Sequence, residues 1–443
     1  MKTLRISITA VLLIAGISVS AQDRKLSLEE ALSIARTNNK TLQIKSLDVE
    51  TSQEQLNVAK ANMLPSINLG GNYSYYFDRQ VIFMPGAFTG NEEEPVVDVP
   101  VGGKNTFNSY VTLTQPLISE ANRRQVKSAR IDQSLHELSA KEFQGDLTLN
   151  VTALYYQVLL IAESVKLNRQ SLERNIRALQ DSKSLYLQGK SLKVDTLRNY
   201  ILVENLRTTI SHLESQHAIA LLKLRQIVGL NNESLVLTDS LKHNVEERYF
   251  TAVQLLNGET IQNRPDIQIR NAHVALAQSK FQAAKAERLP TLNLIATYQL
   301  QAQSDDRQIG DYRWPRTSFV GIHANIPLFA GGRINARARQ AKTQVQREQL
   351  ELQDATEKAS NEIATLESNL RELVQRLDIT RKTIDAAEVN YKITDDRYKN
   401  GLSSRLELTD AELALTEARL SELQTIFRVK IAKLQLDKAL GIL

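Results

Sequence analysis

Cysteine is absent from the 443-residue sequence, and histidine occurs only six times, at scattered positions. A thiol site or a zinc site is therefore not expected, and the lack of cysteine is compatible with an oxidising compartment. The sequence also has no Ser/His/Asp set, no cluster of metal ligands and no phosphate-binding loop. We therefore predict that the protein is not an enzyme and uses neither a metal nor a cofactor.

A strong excess of one charge is also missing, because the net charge is +5 and is spread along the chain. No basic block is present, which argues against nucleic acid as a partner. Long apolar runs are missing as well, except residues 6–17, which follow Lys2 and Arg5 and precede small residues. This pattern predicts a secretory signal peptide over residues 1–21, although a buried N-terminal helix would also explain it. No transmembrane helix is predicted elsewhere.

What the sequence does contain is an internal duplication. "AKANMLPSINL" at 59–69 matches "AKAERLPTLNL" at 284–294 in seven of eleven positions, at an offset of 225. Farther along, "YLQG" at 186–189 and "YKNG" at 398–401 repeat at an offset of 212. The first copy therefore carries about 13 additional residues between positions 69 and 116. We predict two repeats, residues 22–230 and residues 231–443.

Each repeat contains a long helical stretch without proline, over residues 119–188 and 333–400. A returning helix follows each one, which predicts long hairpins over 119–228 and 333–440. Apolar residues recur at alternating spacings of four and three, so each rod needs a partner helix. Asn168, Asn175 and Ser182 interrupt the first apolar seam. They indicate either a leaky coiled-coil core or, as we favour, a shallow seam between the helices of a wide, open assembly.

Four segments alternate apolar and polar residues, at about 66–77, 106–115, 291–301 and 318–327. Each is long enough to cross a bilayer when tilted. Four strands cannot close a barrel, and an open sheet edge in lipid leaves backbone groups unsatisfied. If the strands are transmembrane, several chains must therefore pool them, and three chains would supply about twelve. The alternative is a soluble β-layer that covers the helices.

Several motifs together resemble the TolC family of outer-membrane efflux proteins. They are the two "LP" helix-to-strand junctions, "RPDI" at 264–267, "IPLFAGGRINARARQA" at 326–341, the "YxxG" turns and "ALG" at 439–441. The resemblance covers essentially the whole mature chain. It implies a mainly α-helical trimer in which four strands per chain form a shared twelve-stranded barrel on a long antiparallel helical tunnel. The first repeat departs from the family pattern, because "ISEANRRQ" lacks the glycine pair Gly331 and Gly332.

The function implied by this resemblance is a passive exit duct of a tripartite efflux or type I secretion system. The expected location is the outer membrane, with an extension into the periplasm. The expected partners are two further copies of the chain, a periplasmic adaptor protein, an inner-membrane pump and outer-membrane lipid. A structural or adhesive trimeric coiled-coil protein of the cell surface, without a conducting lumen, is the alternative.

Glycine at each "YxxG" turn allows the helix to reverse, since positive φ is easy for glycine and costly for other residues. Under the resemblance, the two turns form the inner end of the tunnel. Residues of both turns are then candidate adaptor contacts. They are Tyr186, Gly189, Ser191, Gly401 and Ser403.

Two acidic residues follow the second turn, Glu407 and Asp410, and their spacing places them on one helix face. A solvated helix face explains such a pair in a soluble protein. In a trimer the pair would instead place six carboxylates at a pore constriction that binds cations or holds protons. The resemblance also implies that Asp195 hydrogen-bonds Tyr398 across the turns and keeps the tunnel closed.

Overall fold

The computed structural model describes residues 24–90, 93–230, 235–242 and 259–443. The predicted signal peptide and most of the segment that begins the second repeat lie outside the described residues. The chain divides into two compact units. One unit draws on Met1–Gln43, Phe143–Asn257 and Asn361–Leu443, and the other on Ile44–Glu142 and Gly258–Ser360. Each unit therefore takes segments from both predicted repeats, whose boundaries stay a prediction.

In chain order, the elements are β1 (Arg24–Leu26), α1 (Leu28–Asn38), α2 (Lys40–Ala61), β2 (Ser66–Tyr75), β3 (Gln80–Met84), α3 (Gly86–Thr89), β4 (Val97–Val101), β5 (Asn105–Ile118), α4 (Glu120–Leu187), α5 (Lys193–Val228), β6 (Leu235–Leu237), α6 (Glu259–Gln262), α7 (Pro265–Ala286), β7 (Thr291–Ser304), β8 (Arg316–Asn325), α8 (Arg333–Lys399) and α9 (Arg405–Ala439). A short 3-10 helix, Ile309–Asp311, lies between β7 and β8.

Helices α4 and α8 are the long rods that the sequence predicts. They contain 68 and 67 residues, because neither contains a proline and each ends only at its glycine turn. The seam of α4 is buried as its apolar spacing predicts. Its polar members are buried too, since Asn168, Asn175 and Ser182 are 5%, 1% and 4% exposed. These three residues therefore belong to a packed helix interface within the first unit.

The core of the first unit is built around one stretch of α4. Leu147, Val151 and Val158 of α4 pack in a cluster that also contains buried residues of α1, α5 and α9. Strands β1 and β6 pair in parallel beside this cluster. A capping box begins α1, because the side chains of Ser27 and Glu30 each accept a hydrogen bond from the other residue's backbone N–H.

The second unit contains an antiparallel four-stranded sheet in the order β2-β5-β7-β8. Its register aligns the predicted apolar faces of all four strands on one side. Two successive rows across this face are Ile67, Leu113, Ala296 and Val320, followed by Leu69, Val111, Tyr298 and Ser318. The opposite face is mainly polar, and the hydroxyl oxygens of Thr112 and Thr297 lie 3.4 Å apart on it. The sheet thus has one apolar and one polar side.

The two ends of this sheet differ. Register pairs such as Ser66 with Thr114 and Thr291 with Asn325 place every strand-to-helix connection at one end, which we call the helix end. The loops between β2 and β5 and between β7 and β8 lie at the other end, which we call the loop end. Helices α2, α4, α7 and α8 therefore all meet the sheet at its helix end.

The loop over residues 78–104 contains structure that the sequence analysis missed. The sequence pattern predicts no strand between about 77 and 106, but β3 and β4 form a two-stranded antiparallel hairpin there. The strands have only five residues each, and Pro100 lies within β4, where it pairs with Val81. Proline is tolerated there because both strands of this small sheet are edges. The additional residues of the first repeat lie in this region.

Candidate functional site

The two glycine turns have the same backbone geometry. Gly189 and Gly401 have φ values of +70° and +74°, as the duplicated motif predicts. In the first turn, the N–H of Lys190 donates to the carbonyl of Leu185 at 2.8 Å, and in the second the N–H of Leu402 donates to the carbonyl of Arg397 at 2.8 Å. Both are Schellman motifs, which end a helix by satisfying its last carbonyl groups.

A second feature repeats in the side chains. The hydroxyl of Ser191 donates to Asp195 Oδ2 at 3.1 Å, and the hydroxyl of Ser403 donates to Glu407 Oε2. Ser191 corresponds to Ser403 and Asp195 to Glu407 at the offset of 212. Each turn therefore contains a serine whose hydroxyl donates a hydrogen bond to the carboxylate four residues later. Both serines had been proposed only as adaptor contacts, and the constant spacing of four residues was the pattern that could have revealed this link.

The two turns differ in charge three residues after that acid. In the first turn, Arg198 Nη1 lies 4.0 Å from Asp195 Oδ1, so the acid has a cationic neighbour on its own helix. The corresponding residue of the second turn is Asp410, which leaves Glu407 and Asp410 as two carboxylates on successive turns of α9. The second turn is thus the anionic member of the pair, as the sequence predicts.

The surroundings of Glu407 favour its ionised form. The hydrogen bond from Ser403 lowers the pKa of the Glu407 carboxyl below its ordinary value, and bonds from Ser404 and the charge of Arg397 act in the same direction. Ser404 is also the N-cap of α9, where its hydroxyl accepts the Glu407 N–H at 3.2 Å. The corresponding residue in the first repeat, Leu192, makes no side-chain cap. These contacts favour the carboxylate form of Glu407.

The predicted bond between Asp195 and Tyr398 is not formed within the described part of this single chain. Asp195 instead contacts Ser191 and Arg198. The ring of Tyr398 lies under the Arg405 guanidinium, 5.4 Å from its centroid. The Asp195–Tyr398 bond therefore stays a prediction for the assembled protein.

The remaining predicted contact residues lie at the surface of the turns. Tyr186, Gly189, Gly401 and the backbone beside them are exposed, and a Cβ added to either glycine would meet no atom within 4 Å. Large apolar side chains around the first turn are also exposed, at Leu187, Leu192, Val194, Leu197 and Ile201. The structure thus brings the predicted adaptor residues to accessible positions, and their role stays a proposal.

A buried charged cluster that the sequence pattern does not predict joins α4 and α9. Glu412 of α9 is only 4% exposed, and its Oε1 accepts from Arg174 Nε at 2.7 Å and Asn175 Nδ2 at 3.2 Å. Asn175 Nδ2 also donates to the carbonyl of Ser171 at 2.9 Å. Asn175, a polar residue on the apolar seam, was the feature of the sequence that could have indicated this cluster, since a buried amide needs a polar partner. The cluster links the long helix of the first repeat to the returning helix of the second.

The described residues hold no group of three or more His, Cys, Asp or Glu side chains that could bind a metal ion. In the same part of the chain, no helix has both the length and the apolar character that crossing a membrane requires. The apolar side of the four-stranded sheet is different, because its large side chains stand open to solvent in the single chain. Examples are Ile67, Leu69, Tyr298 and Val320.

Comparison with known proteins agrees with this architecture. A family model described as "Outer membrane efflux protein" matches residues 31–230 and 256–442. The chain is 22% identical to the proteases secretion protein PrtF of Dickeya chrysanthemi, over 100% of this chain and 93% of PrtF. It is 20% identical to the outer membrane protein TolC of Escherichia coli K12, over 97% of this chain and 85% of TolC.

A solved structure gives the same fold. The outer membrane protein VceC of Vibrio cholerae superposes with a TM-score of 0.75 at 17% identity, covering 94% of this chain and 96% of VceC. These similarities support the channel and not the adhesive coiled-coil alternative. The family model matches most of the chain, which also contains a four-stranded sheet and two long helical hairpins. The chain belongs to the outer membrane efflux protein family and is an outer-membrane channel protein.

Proposed function

We propose that three copies of the chain assemble into one channel, with a shared twelve-stranded barrel and a common helical tunnel. The channel serves as the passive exit duct of a tripartite efflux or type I secretion system. Its partners are a periplasmic adaptor protein and an inner-membrane pump. The observation that carries this proposal is a sheet of only four strands with two open edges and an exposed apolar face.

The open edges argue for assembly because lipid cannot satisfy backbone hydrogen bonds. Strands β2 and β8 each have a neighbour on one side only within the described residues. An unsatisfied backbone group in the hydrocarbon region costs several kcal/mol. Pairing β8 of one chain with β2 of the next removes both edges when the ring closes. The apolar face then contacts lipid, and the polar face lines a water-filled interior.

The two turns suit the inner end of such a channel. Both are exposed, both have the same Schellman geometry, and both hold a serine-bound acid. Tyr186, Gly189 and Ser191 of the first turn and Gly401 and Ser403 of the second are the proposed adaptor contacts. An adaptor that recognises one turn would find a nearly equivalent surface at the other, so six similar sites would surround a trimer.

The anionic second turn suits a constriction. Three chains would place three copies of Glu407 and three of Asp410 close to the axis. Two unit charges about 6 Å apart repel by about 0.7 kcal/mol in water and by about 3 kcal/mol at an effective dielectric constant of 20. Because hydrogen bonds hold Glu407 in its ionised form, we expect the ring to bind cations rather than retain protons. Asp195 and Tyr398 of the assembled turns are proposed to hold the closed state.

Conductance of the purified protein tests the proposal. We expect the mature protein to form detergent-stable trimers that insert into planar bilayers as cation-selective channels blocked by multivalent cations. Glu407→Gln with Asp410→Asn should reduce that block. The control is Asp354→Asn with Asp378→Asn, which removes two carboxylates that pair with lysines on the exposed side of α8.

Three results would contradict parts of this proposal. A monomer that needs no detergent would exclude the shared barrel. A trimer without conductance under any voltage or after cation removal would exclude the duct. Equal cation block in the Glu407/Asp410 variant and in the wild type would exclude the constriction while leaving the channel in place.

A further inference from the structure

Basic residues concentrate where the helices meet the sheet. We call this region the collar, and it consists of four segments. Two are the last three turns of α2 and α7 with the residues that lead to the sheet, 51–65 and 276–290. The other two are the first turns of α4 and α8 with the residues before them, 119–130 and 326–343. The collar contains twelve Lys and Arg and only three acids, a net charge of +9. The whole chain has a net charge of +5, so the rest of the chain is net negative.

The opposite end of the sheet does not share this charge. The two loop-end connections, residues 76–104 and 305–315, contain eight acids and four basic residues, a net charge of −4. The charge asymmetry therefore follows the sheet from end to end. It is hidden in the sequence because the four collar segments are separated by up to about 150 residues, and only the antiparallel register brings them to one end.

Within the described residues, at least half of the twelve collar cations are exposed and have no carboxylate partner. Arg333 and Arg337 share Glu287, and Arg123 and Arg124 share Glu120. Six exposed side chains lie more than 4.0 Å from any carboxylate within the part of the chain that the structure describes. They are Lys60, Lys127, Arg130, Lys280, Arg339 and Lys342. These charges are available to an external anion.

In each of the four strand-to-helix connections, the side chains change from apolar to basic with increasing distance from the sheet. Nearest the sheet, Leu64, Ile118, Leu289, Leu328 and Phe329 are exposed, and Leu328 reaches 94%. The basic residues follow along the adjoining helix in all four connections. Side chains of lysine and arginine lie along an apolar boundary while their charged groups reach the polar layer. This order is that of a membrane–water interface, with hydrocarbon contacts on the sheet side and headgroup contacts on the helix side.

We infer that the collar is a binding surface for anionic phospholipid headgroups of the membrane leaflet that faces the helices. The inference rests on the proposed insertion of the shared barrel into the membrane. Each lysine or arginine near an anionic surface adds to the attraction, which weakens within about a Debye length and with salt. The collar would fix the height of the barrel in the bilayer, because its charged groups cannot enter the hydrocarbon layer at low cost.

Lipid retention by the purified trimer tests this inference. The trimer in neutral detergent is titrated with equal amounts of dioleoyl phosphatidylglycerol and dioleoyl phosphatidylcholine, and the lipids retained are counted by native mass spectrometry. The test variant is K127Q/R130Q/R339Q/K342Q. The matched control is K183Q/K190Q/K193Q/K223Q, which removes four exposed lysines of α4, its turn and α5 that have no carboxylate partner among the described residues.

We expect the wild type and the control to prefer phosphatidylglycerol at least tenfold, and the test variant to lose most of that preference. Glycerol phosphate without acyl chains should not displace the lipid at equal concentration, since the apolar part of the collar contributes to binding. Equal loss in both variants, no preference in the wild type, or displacement by glycerol phosphate would each overturn the inference. Conductance in the same preparation separates the two proposals, because a conducting trimer without lipid preference would refute the collar alone.

Discussion

At the scale of single residues, the carboxylate of Glu412 is buried and bound by two side chains of α4. Its partner Arg174 is about one-third exposed. Removing one member of a buried ion pair leaves a desolvated charge, which costs far more than the loss of an exposed pair. Asn175 adds to this constraint, because its Nδ2 donates to Glu412 while its Oδ1 is buried without a hydrogen-bond partner among the described residues. The site has little freedom to rearrange.

We expect Glu412→Ala to lower the free energy of unfolding by about 2–3 kcal/mol, less than for a fully buried pair because Arg174 can reach water. The control is Glu214→Ala, which breaks the exposed pair with Arg169 and should cost about 0.5 kcal/mol or less. Guanidinium unfolding of the detergent-solubilised protein measures both. Combining Glu412→Ala with Arg174→Met should cost less than the sum of the single changes, and strict additivity would show that the two residues act independently.

The serine beside Glu407 gives a prediction about pH. Because the pKa of Glu407 is lowered, its carboxylate stays charged below the ordinary range, and the charge is lost only as pH falls through the lowered pKa. Cation block of the channel should therefore persist on mild acidification. Ser403→Ala removes the first cause of the shift, so block should be lost at a higher pH. The comparison variant is Ser191→Ala in the first turn, and an equal displacement of the block profile in both variants would refute this assignment.

At the scale of elements, the glycine turns set the length of the long helices. Gly189 and Gly401 occupy left-handed backbone conformations that most side chains adopt only at a cost. No neighbouring atom lies within 4 Å of a Cβ built at either position, so the cost of a substitution is conformational and not steric.

Gly401→Ala should therefore destabilise the second turn by about 1–2 kcal/mol, and Gly401→Asn should cost less, since asparagine tolerates this conformation. Gly310→Ala is the matched control, because that glycine also has open space around it but no positive φ. Hydrogen exchange of the amide groups in residues 398–405 measures the local effect. Unchanged protection in Gly401→Ala would mean that the turn does not depend on glycine.

At the scale of the whole molecule, the absence of cysteine makes the shared barrel directly testable. Asn68 on the edge strand β2 and Phe319 on the edge strand β8 lie on the same side of the sheet. We would make three double-cysteine variants, with cysteine at position 68 and at position 317, 319 or 321. At least one of the three should form disulfides between chains. Because a three-chain ring closes on itself, we expect products of two and three linked chains and none longer on non-reducing gels.

Cysteine at position 68 combined with cysteine at position 297 is the control, because Thr297 belongs to the interior strand β7. This pair should give no intermolecular product. Linked products longer than three chains would exclude a trimeric ring, and no product from any edge pair would exclude the pairing of β2 with β8.

The heptad spacing, the duplicated motifs and the alternating segments of the sequence predicted most of the fold. The bounds of α4 and α8 could be predicted to within about a residue, because heptad spacing and the absence of proline leave few alternatives. The hairpin of β3 and β4 could not be predicted, since its five-residue strands contain too few alternations and Pro100 argues against a strand. At the turns, the contact of Ser403 with Glu407 is local and its four-residue spacing can be seen in the sequence. The contact of Arg174 with Glu412 joins residues 238 positions apart and depends on helix packing that a linear pattern does not contain.

The composition of the two compact units has a consequence for biosynthesis. The first unit includes Asn361–Leu443 and the second includes Gly258–Ser360, so neither can be completed before part of the second repeat has been made. The central β5–β7 pairing likewise joins residues that are almost 200 positions apart. A chain made from its N-terminus therefore leaves β5 without its neighbour β7 until residues 291–304 have been made. Pairing strands so distant in sequence has a high entropic cost, so we expect folding of this chain to include a slow, late step.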